Sequence, residues 1–486
     1  MTSPSPCKAN TNTKVIPIIP VGADDVELVS LYAAQKTIHP RTVQGPFARW
    51  RWGMVFLTQL VFYGLPWLTF GQRQAVLFDL EAKRFYLFSL VLYPQDFIYL
   101  TGLLVVSALS LFLFTAVAGR LWCGFACPQT VYSEMFMWVE RKIEGDRMAR
   151  IRLDGSAMSL EKLVKKWLKH TVWLGVALWT GFSFVGYFTP VRELGMAFLQ
   201  TEMGSWNVFW VFFYALATYG NAGFMREQVC KYMCPYARFQ SAMFDKDTLV
   251  VSYDAARGEP RGSRSRKVDS VALAAANLGA CVDCTLCVQV CPTGIDIRQG
   301  LQYECISCGA CADVCDTVMD KMGYAKGLVR FATQNGMAAG WTRQHILRRV
   351  WRPRVLIYTT VLVLLSGALL VSLVLRTPLK VDVVRDRAAL ARIVAGGQLE
   401  NVYRLQVMNA TESPQRYRIA SQGLAGLTVA SDDMVEVDAA QSRWVAVRLH
   451  IPYGSATPGA HPVVLEIQSA DGTARVLEKS TFLVPR

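Results

Sequence analysis

Apolar and polar positions divide the chain into stretches with different periods. Five uncharged apolar windows, Trp52–Phe70, Phe97–Val117, Val172–Phe188, Trp206–Phe224 and Val355–Leu375, are each about long enough to cross a ~30 Å hydrocarbon core as a helix. A sixth run, Phe85–Tyr93, is nine residues long and ends at Pro94; its length suits an interfacial or re-entrant piece. Beyond residue 380 the period changes to two, with Tyr403, Leu405 and Val407, then Val445, Val447, Leu449 and Ile451, then Leu465 and Ile467, and an Asp471–Gly472 turn. Such alternation with frequent turns predicts a β-sandwich. The first 45 residues are polar, without periodicity and without the charged-then-apolar pattern of a secretory leader, and are expected to form a flexible tail.

The predicted architecture is an α-helical membrane protein of about five transmembrane helices. A membrane domain over 46–250 carries four of them (about 52–70, 97–117, 172–188 and 206–224). A polar insert occupies 251–354, the fifth helix 355–375, and a β-domain 380–486. Charge orients this plan. The net charge is +14, and the segments 119–170 and 225–354 carry ten and eighteen Lys or Arg, against three and one in 71–96 and 191–205. Lys and Arg concentrate in cytoplasmic loops, so the amino terminus and both basic segments are expected in the cytoplasm and the β-domain on the opposite side. No nucleic-acid-binding motif accompanies the charge, and nucleic acid is not expected as a partner.

Twelve of the thirteen cysteines are clustered, which points to metal rather than disulfides. Cys281, Cys284, Cys287 and Cys291, followed by Pro292, form C-x2-C-x2-C-x3-C; Cys305, Cys308, Cys311 and Cys315 repeat it. This is the bacterial ferredoxin run, in which the fourth cysteine serves the other cluster. Cys281, Cys284, Cys287 and Cys315 are therefore assigned to one [4Fe–4S] cluster, and Cys305, Cys308, Cys311 and Cys291 to a second. Zinc prefers two pairs of ligands, which three-plus-one runs fit poorly. In the second run Asp316 stands where proline often follows. Asp313, Asp316 and Asp320 are read as a solvated loop.

Cys123 and Cys127 in LWCGFACP, and Cys230 and Cys234 in VCKYMCP, follow the second and fourth windows. Both are C-x3-C-P, and on a helix such a pair shares one face. Because the spans alternate, both pairs are expected at the cytoplasmic membrane surface, where four thiolates could hold one site for Cu(I), zinc or an iron–sulfur cluster. No histidine among His39, His170, His345, His450 and His461 lies within a window, so no pair can clamp a buried haem.

These motifs carry a resemblance. WCGFACPQTVYSEMF at 122–136, CKYMCPYARFQSAMFDKDTL at 230–249, RGEPR at 257–261 and the two-cluster run at 281–324 closely resemble the cytochrome c oxidase accessory proteins of the CcoG/FixG/RdxA type, and the order of spans, insert and β-domain agrees. The resemblance implies an inner-membrane iron–sulfur cupric reductase serving assembly of cbb3-type oxidase. Cys123, Cys127, Cys230 and Cys234 would be catalytic and copper-binding, and the β-domain immunoglobulin-like and periplasmic. It implies as partners oxidase assembly factors or a copper exporter and an unidentified cytoplasmic electron donor, and leaves room for a homodimer. The rival readings are a quinol dehydrogenase feeding a periplasmic partner, a non-catalytic copper chaperone or scaffold, and a third cubane in place of copper at the C-x3-C-P cysteines.

Overall fold

The computed structural model describes residues 37–264, 278–386 and 391–485; residues 1–36 of the expected tail lie outside these. Residues 37–45, assigned to the same tail, are docked. Arg41 N–H donates to Gln289 O at 2.8 Å, and Thr42 donates through N and Oγ1 to Asp146 at 3.0 and 2.7 Å. The unpaired backbone of this polar stretch is satisfied by neighbouring elements instead of by water.

Among the described residues nine α-helices precede the ferredoxin region: α1 (Pro46–Gly64), α2 (Phe97–Ala118), α3 (Leu121–Phe125), α4 (Pro128–Glu144), α5 (Arg147–Gly155), α6 (Leu160–Val185), α7 (Val191–Leu199), α8 (Ser205–Gly220) and α9 (Pro235–Met243). Among the described residues three helical segments are long and apolar enough to span a membrane: Pro94–Ala118, Ser205–Met225 and Pro353–Val374, with mean hydropathies of 2.3, 1.2 and 2.3. The other two expected spans do form helices, but α1 includes Arg49 and Arg51, and the first half of α6 carries Lys162, Lys165, Lys166 and Lys169. The apolar half of α6 packs on α8 backbone to backbone. A Cβ on Gly181 would lie 2.2 Å from Val211 O, so only glycine permits the approach.

α2 and the helix Pro353–Val374 fix the two ends of the molecule. At one end Arg352 donates to Ala116 O at 2.6 Å. At the other, buried Asp96 pairs with Arg376 at 3.0 Å and Lys380 at 2.9 Å. Between Arg352 and Arg376 lie the 22 helical residues of Pro353–Val374, about 33 Å at the standard rise. The cysteine-rich region and the β-domain therefore sit at opposite ends of a bilayer-length shaft.

Several loop cations are buried and paired, not simply exposed. Glu140 on α4 meets Arg150 at 2.9 Å, Arg226 at 2.6 Å and Lys169 at 3.7 Å, and Glu144 meets Lys166 and Lys169 at 3.0 Å each. These cations hold the Glu140 carboxyl below the ordinary carboxylate range against the opposing effect of burial. The network locks α4, α5 and α6 together at the cysteine-rich end.

Phe85–Tyr93, expected as an interfacial or re-entrant piece, is β-structure. It supplies two strands, Arg84–Leu87 and Leu90–Leu92, of an antiparallel meander begun by Val76–Asp79. Leu77, Tyr86, Val91 and Tyr93 bury their side chains against Met408, Ala410 and Ala440 of the β-domain, and Tyr93 Oη donates to Asn409 O at 3.0 Å. The expected β-sandwich is present as two antiparallel sheets, centred on the pairs Gln398–Asn409 with Ser442–Pro452 and Gln415–Gln422 with Gly459–Ser469. Tyr403, Leu405, Val407, Val447, Leu449, Leu465 and Ile467 form its core. Gly472, at φ 73°, turns the chain after Asp471, whose Oδ1 accepts from Thr473 N at 3.1 Å.

Candidate metal centres

The ferredoxin region is closed by antiparallel strands Val250–Tyr253 and Val329–Ala332 and by the helix Ala310–Met322, which carries Cys311 and Cys315. Its two cysteine loops share one backbone signature. Asp283 and Thr285 in the first, and Ser307 and Gly309 in the second, have φ of 52°, 54°, 54° and 73°, at the same offsets from Cys281 and Cys305. Left-handed conformations are costly for a β-branched residue such as Thr285. Repeated at matching positions, they turn successive N–H groups inward, as in iron–sulfur loops. Ser307 N–H donates to Cys305 Sγ at 3.4 Å.

The cysteines line two spaces. One small cavity is bordered by Cys281, Cys284, Cys287 and Cys315. A second is bordered by Cys291, Cys305, Cys308 and Cys311, with Cys287 at its edge. Among the described residues no three His, Cys, Asp or Glu side chains converge on a single-ion site. Four thiols around an open space fit a cubane better than zinc. Burial pushes the thiols of Cys305 and Cys315 up to about 12 and Cys287 to about 11; deprotonation therefore depends on bound metal.

The C-x3-C-P pairs are brought together, but not on uninterrupted helices. Cys123 lies in α3, and Cys127 is the extended residue (φ −61°, ψ 130°) between α3 and α4, with Pro128 opening α4. Cys230 lies in a π-turn, Val229–Met233, closed by Cys234 N–H to Val229 O at 2.8 Å, and Cys234 is again extended before Pro235 of α9. The expected common helix face is lost because a residue before proline is driven out of the α region. The four thiols still share one environment. Burial, with neighbouring Cys127, Cys230 and Cys234, pushes Cys123 up to about 12. Burial, then Cys127 and Cys234, pushes Cys230 to about 11.

Sequence reasoning missed the supports of this site. Cys123 Sγ donates to Gln240 Oε1 at 3.3 Å, and Gln240 Nε2 donates to Thr115 Oγ1 at 3.1 Å. Thr130 Oγ1 donates to Cys123 O at 2.5 Å. Arg120, 2% exposed, donates to Ala237 O, and its charge acts on Cys123, Cys230 and Cys305 alike. A buried cation immediately before the first C-x3-C-P element was the available signal.

The two sulfur layers touch. A Cβ on Gly124 would lie 2.6 Å from Ile306 O and 3.0 Å from Cys308 Cα, so α3 rests on the loop between Cys305 and Cys308. Cys123 packs on the same apolar group as Ile306, Cys308 and Val290.

The acidic residues are not a solvated loop. Asp313, 3% exposed, accepts from Phe47 N at 3.2 Å and Ala48 N at 2.8 Å, capping α1. Asp316 accepts from Gly327 N at 2.7 Å. Asp320 is exposed and pairs with Lys326 at 2.9 Å. His39 faces Asp154 at 3.5 Å, His170 Nδ1 contacts Tyr219 Oη at 2.9 Å, and His450 Nε2 contacts Glu400 at 2.8 Å; each is structural.

Comparison with known proteins agrees with this organisation. Residues 225–334 match the family described as a 4Fe-4S dicluster domain, residues 100–145 a 4Fe-4S binding domain, and residues 369–485 the IG-like fold at the C-terminus of FixG. Protein RdxA of Cereibacter sphaeroides is 37% identical over 439 residues, covering 87% of this chain and 91% of its own. Nitrogen fixation protein FixG of Rhizobium meliloti is 37% identical over 447 residues, covering 84% and 85%. A FixG-related protein of known structure from Vibrio parahaemolyticus aligns with 22% of this chain and 97% of its own, at 20% identity and a TM-score of 0.21. With its two-cluster cysteine loops, its C-x3-C-P pairs and its terminal β-sandwich, the chain belongs to the FixG/RdxA family of iron–sulfur electron-transfer proteins.

Proposed function

We propose that the protein is a five-span inner-membrane oxidoreductase that reduces Cu(II) to Cu(I) at Cys123, Cys127, Cys230 and Cys234, in the service of cbb3-type oxidase assembly. The ferredoxin region faces the cytoplasm, where an electron donor meets it. The β-domain faces the periplasm, toward assembly factors or a copper exporter. The observation that carries this reading is the seating of α3, which bears Cys123, on the Cys305–Cys308 loop.

Cys281, Cys284, Cys287 and Cys315 hold one [4Fe–4S] cluster and Cys291, Cys305, Cys308 and Cys311 the other; bound clusters supply electrons one at a time. The chain's own residues do the rest. Thiolates favour Cu(I) over Cu(II), so the four sulfurs bind the product better than the substrate and favour the one-electron step Cu²⁺ + e⁻ → Cu⁺. Arg120 offsets the charge gathered by four thiolates in a buried place. Gln240 and Thr130 hold Cys123 in position.

A second reading has one specific support. The 4Fe-4S match over 100–145 contains only Cys123 and Cys127, and Cys230 and Cys234 could complete a third cubane. Anaerobic mixing of dithionite-reduced protein with Cu(II) and a Cu(I)-specific chelator separates the two. The copper reading expects stoichiometric Cu(I) and about eight irons per chain, with Cu(I) formation abolished in a Cys123→Ser/Cys230→Ser variant. About twelve irons, falling to eight in that variant, would establish the third cluster instead.

A further inference from the structure

A crevice of about 660 Å³ lies where the apolar helices end. Its wall includes Phe47 at the start of α1, Ala118 at the end of α2, and Ile346 and Leu347 shortly before the helix Pro353–Val374. The crevice is therefore level with the membrane boundary at the cysteine-rich end.

Its inner wall is the helix that carries cluster cysteines. Ala312 and Asp316 line it and share one helix face, while Cys311 and Cys315 occupy the adjoining one. Phe47 and Phe331, with ring centroids 5.0 Å apart, also line the crevice and pack in one apolar group with Cys287, Cys311 and Cys315. Only aromatic rings and one helix thickness separate the crevice from both cluster cavities.

The chemistry of the wall selects the occupant. Arg330, the one cation among the described lining residues, is engaged by Asp254 at 3.1 Å and by Gly327 O at 2.9 Å, which disfavours a dinucleotide's phosphates. The remaining lining is chiefly apolar and aromatic, Trp341 included, with Asp316 as the carboxylate. Pockets of this composition bind flat apolar rings with a few polar groups.

We propose that this crevice is the docking site of a membrane-soluble quinol, which supplies the electrons. The inference rests on the electron-transfer role of the ferredoxin region and is independent of what the C-x3-C-P thiols bind. The quinol loses two electrons and two protons to become the quinone. The two electrons would go one each to the clusters that the two cysteine sets would hold, and the two protons are released to water.

The test uses the full chain in nanodiscs, anaerobic and with oxidised clusters, and menadiol as the probe. Menadiol should bleach the visible absorption of the clusters and produce their reduced EPR signals. Leu347→Trp, which fills the crevice from an exposed position, should slow this at least about tenfold, and Trp341→Ala should weaken it as well. Dithionite should reduce wild type and variants equally. A photoreactive azidoquinone should label the 341–348 peptide in wild type and not in Leu347→Trp, a readout that needs no cluster. Failure of menadiol to reduce clusters that dithionite reduces, labelling elsewhere, or an unchanged rate in both variants would overturn the inference. Copper reduction driven by dithionite would survive that outcome, so the two readings fail separately.

Discussion

The two cysteine layers are built on different principles. In the ferredoxin region each loop carries its own instructions: cysteines at fixed spacing, left-handed residues at matching offsets, and a helix presenting Cys311 and Cys315 one turn apart. The C-x3-C-P layer has no such local plan. Cys123 and Cys127 straddle a helix break, whereas Cys230 lies in a π-turn that Cys234 closes, and the pairs meet through tertiary packing such as the Cys123–Gln240 hydrogen bond between α3 and α9. A local site tolerates disturbance of its surroundings; a tertiary site does not. Substitutions at the junction should therefore separate the layers.

The largest effect is expected from Gly124→Val. Its new side chain would enter the space of Ile306 O and Cys308 Cα and displace α3 by about 1 Å, a shift that can cost ~100-fold in rate. Copper reduction should fall by that order, measured with the Cu(I) chelator, while iron and sulfide content stay at the wild-type level. Loss of iron as well would show that the layers are not separable.

Next in size is Arg120→Leu. Without the buried guanidinium, proton competition for the four thiols rises, and Cu(I) affinity should fall by roughly 10- to 100-fold in chelator competition. Arg120→Lys should recover part of the loss. Gln240→Leu should act in the same direction and less strongly, because it removes one hydrogen bond to Cys123 and no charge.

The smallest effect sharpens the contrast from the far end. Tyr403→Phe removes the hydrogen bond to Thr481 O at 2.9 Å, worth about 1 kcal/mol. Thermal unfolding of the β-domain should shift down by a few degrees, with cluster spectra and copper reduction unchanged.

The same division explains what could be read in advance. The two-cluster ferredoxin region was legible because its cysteine spacing is local, and the β-sandwich because Tyr403, Leu405 and Val407 alternate as its inner face requires. The meander of Phe85–Leu92 was not, since its apolar run is paid out over two short strands whose burial depends on the distant Met408 and Ala440. Asp313 looked like a loop charge, yet it caps a helix 265 residues away in sequence. Lys169 and Arg150 looked like exposed topological signals, yet they pair with Glu140 and Glu144 inside the helical base. Long-range partners of this kind leave no periodic trace in the chain. The contact of α3 with the Cys305 loop is another, and it is the one on which the proposed chemistry depends.

Single-turnover mixing of the fully reduced chain with one equivalent of Cu(II) tests that contact most directly, with cluster absorbance and Cu(I) followed together. Reoxidation and Cu(I) formation should share one rate, and both should be lost in Cys123→Ser/Cys230→Ser. Reoxidation of the clusters by Cu(II) at the wild-type rate in that variant would contradict the account, because copper would then take its electron without the thiols.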